Sequence, residues 1–214
     1  MKKIDIIGVP EHFNLPWHMA IEEGAFEERG IDLRWTDIPE GTGRMSKMLA
    51  AGETELAIIL TEGMVKSIAD GNSAKIVQTY IASPLLWGIH VAHHSRFVSV
   101  NELNQKRAAI SRFGSGSHLM AYVNAENRHW DTTSLQFEVV DNLEGAVRAL
   151  TQHTADYFMW ERFTTKPLVD NQTFRRLADC PTPWPCFVIA ASENFLKERH
   201  TLLKHVLEVI NRYT

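Results

Sequence analysis

Apolar positions along this chain switch between two rhythms, short continuous or alternating runs and stripes recurring every three to four residues, the signatures of strand and helix. Ile4-Asp5-Ile6-Ile7-Gly8-Val9 reads as a buried strand. Pro16 suits the first turn of a helix that runs to about Arg29, with Gly30 as its stop. Ile31, Leu33 and Trp35 alternate with Asp32, Arg34 and Thr36, a period-two strand. Gly41-Thr42-Gly43 turns the chain into a helical stripe of Met45, Met48 and Leu49 that ends at Gly52. Leu56-Ala57-Ile58-Ile59-Leu60 is a strand, Met64, Val65 and Ile68 mark a helix stopping at Gly71, and 74–83 is strand again. Strand and helix in strict alternation predict a parallel sheet with right-handed crossovers.

A second cycle begins after residue 83. Residues 87–92 read as extended, 100–105 as a short helix and 107–111 as a strand. The loop Ser111-Arg112-Phe113-Gly114-Ser115-Gly116-Ser117 follows, then a helix over about 117–126. Leu135, Phe137 and Val139 alternate as a strand, and Leu143, Ala146, Val147 and Leu150 stand at i, i+3, i+4 and i+7 of an amphipathic helix. Residues 155–160 and 186–191 are strand-like, and Leu203, Val206, Leu207 and Ile210 give a last helix. Two α/β units in tandem, with no Gly/Ser-rich linker between them, predict two lobes joined by strands. Ligands of open α/β sheets bind beyond the carboxyl ends of the strands. With two lobes, those ends can face one another across a cleft.

Bulk properties narrow the function. The 214 residues are 44% hydrophobic and 22% charged, ordinary for a globular protein, and the net charge of −4 gives no basic footprint for nucleic acid. No apolar run approaches the ~20 residues of a membrane span, so no direct membrane insertion is expected. Met1-Lys2-Lys3 opens like a secretion signal, but Asp5 interrupts an apolar stretch already too short. The sequence as written therefore reads as cytoplasmic, and as periplasmic or extracytoplasmic if a signal has been removed. Cys180 and Cys186 are too few for a disulfide scaffold and have no zinc spacing; they read as thiols, with a small disulfide loop as the alternative.

Candidate ligand contacts concentrate in the loops after the strands. Gly114-Ser115-Gly116 is no dinucleotide fingerprint, since Leu119 stands where the third glycine belongs, and no Walker loop, since the lysine is missing. It reads either as a tight turn with Ser115 or Ser117 as N-cap, or as a wall whose N–H groups at 115–118 meet a ligand. Asn14 can cap the helix at Pro16 or offer its amide. Gly41, Thr42, Thr61 and Glu62 occupy the equivalent places after the second and third strands, with Thr61 expected as an N-cap, and Asn142 precedes a helix of the second unit. Trp160 is either core or a stacking face for a planar ligand, with Glu161 accepting that ligand's N–H groups and Glu62 doing so from the first unit. Two carboxylates favour a neutral or cationic nitrogen heterocycle over a sulfonate or nitrate. His90 and His94 share a face if both lie on a strand while His93 points away, so ordinary polar histidines are expected and no metal site. His118, inside the loop, either binds ligand or caps. Gly116→Val is expected to abolish binding and spare the fold.

Several stretches together carry a family resemblance. Residues 20–33, AIEEGAFEERGIDL, are similar to a helix-to-strand signature, and 49–58, LAAGETELAI, to a small helix, glycine, acidic residue and strand. Val100-Asn101-Glu102-Leu103 through Ser117 resembles the opening of a second lobe, and 150–156 a later helix-to-strand step. In their order and spacing these resemble the two-lobed type II periplasmic-binding-protein-like fold, in the group of nitrate/sulfonate/taurine solute-binding proteins and Thi5-like pyrimidine synthases. The resemblance implies lobe one at residues 1–85 plus 188–214, lobe two at 86–187, and a ligand cleft between lobes. Members usually carry more helix beyond the position of Thr214. It implies an ABC-transporter-type binding protein closing by hinge motion over a small polar, pyrimidine-like solute, with an ABC permease as partner. The alternative is an enzyme of pyrimidine or thiamine precursor synthesis. Such enzymes rely on a pyridoxal-phosphate lysine and a cysteine-rich iron motif; here the cysteines are two and Lys47 and Lys66 fall inside helices. Binding without chemistry and without a cofactor is the expectation.

Overall fold

The computed structural model describes residues 1–214. The chain forms two compact units, residues 1–83 with 185–214, and residues 84–184.

The first unit is built on β1 (Lys2–Gly8), α1 (Leu15–Glu22), β2 (Ile31–Asp37), α2 (Thr42–Ala51), β3 (Leu56–Leu60), α3 (Thr61–Ala69) and β4 (Lys75–Ile81). Its sheet order is β2-β1-β3-β10-β4, where β10 (Phe187–Ala191) returns from the far end of the sequence and α7 (Glu193–Ile210) follows it. β1 pairs in parallel with β2 and β3, whereas β10 is antiparallel to both its neighbours. Four of the five strands therefore run one way, but β3 and β4 are not neighbours. The alternation of the first 83 residues could not show that a late strand is inserted between them. Ile59 and Val188 pack with Met45, Leu49 and Met64 of the covering helices.

The second unit contains β5 (Leu86–Ala92), β6 (Arg107–Ile110), α4 (Gly116–Asn127), β7 (Gln136–Val139), α5 (Leu143–Thr151), β8 (Tyr157–Glu161), α6 (Lys166–Asp170) and β9 (Phe174–Pro181), with sheet order β7-β6-β8-β5-β9. β6 is parallel to β7 and β8, and β5 is antiparallel to β8 and β9, the same pattern as in the first unit. Successive β8 side chains go to opposite faces. Tyr157 and Met159 pack with Met120 and Ala121 of α4, and Phe158 with Ala146 and Leu150 of α5. Each unit is thus a mainly parallel sheet flanked by helices, the α/β class expected.

Three details depart from the sequence expectation. The helix entered at Pro16 ends at Glu22, because Gly24 adopts φ +71° and turns the chain before a 3₁₀ segment at Glu27–Arg29. β9 and α6 were not foreseen; β9, FRRLADCP, is an edge strand of partly exposed residues without a clean apolar alternation. The stretch 100–105 forms only a 3₁₀ turn at Val100–Leu103, fixed by a capping box of Ser99 and Glu102. No helix is long and apolar enough to cross a membrane.

Candidate functional site

In the first unit, the loops that leave the carboxyl ends of β1, β2 and β3 carry Asn14, Gly41, Thr42, Thr61 and Glu62. Asn14 is buried; its Nδ2 donates to the Val9 carbonyl at 2.8 Å, and it makes no side-chain cap for α1. The amide thus braces its own loop. Gly41 is the N-cap of α2 with φ +76°, and the Thr42 methyl packs on Gly63, where a Cβ would lie 2.2 Å away. Thr61 is not an N-cap: Leu60 holds that position, and the Thr61 hydroxyl donates to the Pro185 carbonyl at 2.5 Å. The antiparallel return of β10 brings that acceptor beside it, which the local sequence could not announce. Glu62 is half-buried in the first turn of α3, and its charge adds to the burial that pushes the Cys186 thiol up.

The second unit holds the more open chemistry. Ser115 is the N-cap of α4, its Oγ accepting from the His118 N–H at 3.3 Å. Ser117 Oγ accepts from the Ser111 N–H at 2.9 Å and lies 3.1 Å from Ser115 Oγ. Both serines are buried, so their hydroxyls shape the loop from inside. Gly114 takes φ +77°, a left-handed conformation that suits glycine. The first N–H groups of an α-helix have no intrahelical acceptor; the His118 N–H is served by the cap, and those of Gly116 and Ser117 are not served by it.

Beneath this turn lies Trp87, which sequence reasoning passed over as an ordinary strand residue. β5 runs antiparallel to β8 and pairs Trp87 with Glu161, so the indole arrives at the same sheet end as the loop. A Cβ on Gly116 would stand 2.7 Å from Trp87 Cη2. Trp87 is 5% exposed, and its Nε1 has no hydrogen-bond partner. The signal available was an aromatic residue opening a strand. Trp160 meets Trp87 edge-on at 6.2 Å and stacks on Phe158 at 5.3 Å, half-buried between the two core clusters. Its contacts are those of the core reading.

Two further candidates are committed locally. Glu161 accepts from the N–H groups of Phe163 at 2.9 Å and Thr164 at 2.7 Å, and from the Thr164 hydroxyl at 2.8 Å. Its carboxylate closes the turn after β8 rather than standing open. Asn142 caps α5, its Oδ1 accepting from the Gly145 N–H at 2.9 Å.

The histidines separate sharply. His90 is buried, not an ordinary polar histidine: it sits mid-strand, with Nε2 3.0 Å from Thr165 Oγ1 and its ring against Phe174, and burial pushes its pKa down to about 4. His93 and His94 lie beyond the end of β5, ring to ring at 4.9 Å, so the shared strand face of His90 and His94 does not exist. His118 accepts the Gly114 N–H on Nδ1 at 3.1 Å and touches the rings of Phe113, Tyr122 and Phe137. Burial lowers its pKa. Cys180 and Cys186 are free, buried thiols whose pKa values burial raises, the opposite of an activated nucleophile.

Two five-stranded sheets, each mainly parallel with one antiparallel strand inserted, define the type II periplasmic-binding-protein-like fold, seen in the sulfonate-binding proteins. A family model described as Ca3427-like PBP matches residues 87–180. The conserved CA3427 gene product of Candida albicans, described as defining a new family with the generic periplasmic-binding-protein fold, superposes with a TM-score of 0.84 at 29% identity, over 100% of this chain and 71% of that one. The periplasmic aliphatic sulphonate-binding protein SsuA of Escherichia coli gives 0.77 at 17% identity, over 100% of this chain and 72% of that one. The ligand-binding component of an ABC-type import system from Staphylococcus aureus gives 0.71 at 13%, over 100% and 74%. No curated protein matches the sequence.

Proposed function

We propose that the protein is a non-catalytic binder of a small polar solute, which places an acceptor atom on the N–H groups of Gly116 and Ser117. The observation that carries this reading is the start of α4: the serine hydroxyls and the His118 N–H are spent within the loop, while the first two helical donors are not. A helix N-terminus favours oxyanions and other electron-rich acceptors. Similarity to proteins named for sulfonate binding and for ABC-type import supports a solute ligand and an ABC permease as partner. The loops after the parallel strands contain no lysine, and the two thiols are buried, which supports binding over chemistry.

The pyrimidine-like reading draws on two carboxylates, Glu62 and Glu161. With Glu161 committed to its turn, that argument against an oxyanion loses one of its two supports. The ligand class is therefore any small solute with a strong acceptor, with pyrimidines kept as one arm of the test. The test is thermal unfolding against hydroxymethylpyrimidines, thiamine, pyridoxal phosphate, taurine, alkanesulfonates and nitrate. A ligand at ~100 times its Kd stabilises by about 2.7 kcal/mol, a rise in Tm of roughly 5–10 °C for a chain of this size. A rise with one class identifies the solute; a flat panel overturns the proposal.

A further inference from the structure

The geometry of His118 contains more than a loop contact. A backbone N–H only donates, so the Gly114 N–H directed at Nδ1 over 3.1 Å requires that nitrogen to be unprotonated and puts the ring proton on Nε2. Gly114 is the residue in the left-handed conformation that turns the loop into α4, and the His118 N–H is in turn held by the Ser115 cap. Side chain and backbone of one residue thus grip the loop at two successive positions. The imidazole meets three rings edge-on, Phe113 at 5.2 Å, Tyr122 at 5.2 Å and Phe137 at 4.7 Å between centroids.

We propose that His118 is a positioning residue that makes solute binding at the start of α4 depend on pH: unprotonated Nδ1 holds the loop in its binding shape, and protonation releases it. This rests on the reading of that loop as the solute site. A proton on Nδ1 sets two donors against each other over the distance of a hydrogen bond. The Gly114 N–H loses its acceptor, the turn at 112–115 loses its strut, and the donors of Gly116 and Ser117 lose their register. The shift of His118 comes from burial, with no charged side chain contributing. Of the side chains in ring contact, Phe113 and Phe137 carry no titratable group, and Tyr122 brings only its phenol. Because burial lowers the His118 pKa below the ordinary histidine value, the strut holds at neutral pH and fails as the pH falls through the folded value.

The sign of the effect sets this apart from a direct contact. A histidine touching an oxyanion would bind it more tightly on protonation, through charge. A positioning histidine weakens binding on protonation.

The test uses the whole chain and two readouts. The first is ligand-free: ¹⁵N spectra of the imidazole and of the Gly114 amide against pH. The expected result is the Nε2–H tautomer at neutral pH, with the Gly114 amide moving on the His118 titration curve; an Nδ1–H tautomer, or a Gly114 amide indifferent to that titration, overturns the proposal. The second is the affinity for ethanesulfonate, whose charge is constant over the range. Wild type should weaken by about tenfold on acidification through the His118 titration, the scale of one hydrogen bond. His118→Asn, which puts a non-titrating oxygen near the position of Nδ1, should bind nearly as wild type does at neutral pH and lose the pH dependence. His118→Leu should be weak and flat. Tighter binding in acid, or His118→Leu matching wild type, overturns the positioning role. If neither ethanesulfonate nor any other solute of the panel binds at any pH while the Gly114 amide follows His118, the strut stands and the solute reading of the loop fails.

Discussion

Two helices of the second unit start in nearly the same way and for different reasons. α4 begins after Ser115 and α5 after Asn142, and in each the cap side chain accepts the N–H three residues on, at 3.3 Å from His118 and 2.9 Å from Gly145. Each start contains a glycine that packing requires. At α5 the glycine is Gly145, whose Cβ would stand 1.8 Å from the Val140 carbonyl oxygen. At α4 it is Gly116, whose Cβ would meet the indole edge of Trp87 at 2.7 Å. Backbone closes the first turn from behind; an aromatic side chain floors the second. A turn sealed by its own backbone is a structural joint, whereas one built on a side chain can be shaped toward a ligand.

The largest effect that sharpens the contrast is Gly145→Ala. A carbonyl oxygen of the adjoining strand end cannot yield as a flexible side chain does, so the start of α5 has to move. The loss should reach about 3 kcal/mol, the upper end of overpacking costs, and appear as a lower denaturation midpoint with an unchanged slope. A loss below about 1 kcal/mol would mean that the turn is soft and the contrast empty.

Acid should act on the unit as a whole through His90. Its folded pKa of about 4 lies below the ordinary histidine value of 6.5, so the unfolded chain binds more protons between those values. Stability from this group is therefore complete above about pH 6.5 and falls as the pH drops toward 4, by roughly 3 kcal/mol in all. His90→Gln should flatten that slope, measured as stability against pH. An unchanged slope would reassign the acid sensitivity to other groups.

Gly116→Val tests the other side of the comparison. Read from the sequence alone, it should abolish binding and spare the fold. The buried Trp87 ring changes that expectation: the variant should lose binding and also about 1–3 kcal/mol of stability. Gly116→Ala should show the same two effects in smaller measure. Full stability with binding lost would mean that the indole moves aside easily.

Much of the fold was legible, because apolar periodicity reports which face of an element is buried. Leu143, Ala146, Val147 and Leu150 gave α5 directly, and Ser115 and Asn142 were legible as helix starts. What stayed hidden depends on distant chain. β10 enters the first sheet between β3 and β4, and its approach turns Thr61 into a donor to Pro185. Glu161 could be placed at a strand end, but its commitment to the N–H groups of Phe163 and Thr164 depends on a tight turn that residue types alone did not fix. Trp87 escaped notice because its role comes from a pairing with β8 across more than seventy positions of sequence.

The smallest effects separate the two caps. Ser115→Ala and Asn142→Ala each remove one side-chain acceptor from a helix start, at a typical cost of about 1 kcal/mol. The Ser115 loss should be the lesser in stability, since its bond is longer by 3.3 against 2.9 Å. In binding the order should reverse. Asn142 serves a joint, and its loss should leave solute affinity within about twofold of wild type, far less than one hydrogen bond. Ser115 also touches Ser117, whose hydroxyl holds the Ser111 N–H, so its loss loosens the frame around the two donors. Affinity should fall by about tenfold, the worth of one hydrogen bond's order in that frame. Measured side by side by calorimetry and thermal unfolding, equal losses of affinity in both variants would make the two helix starts equivalent, and would remove the reason for assigning the solute to α4.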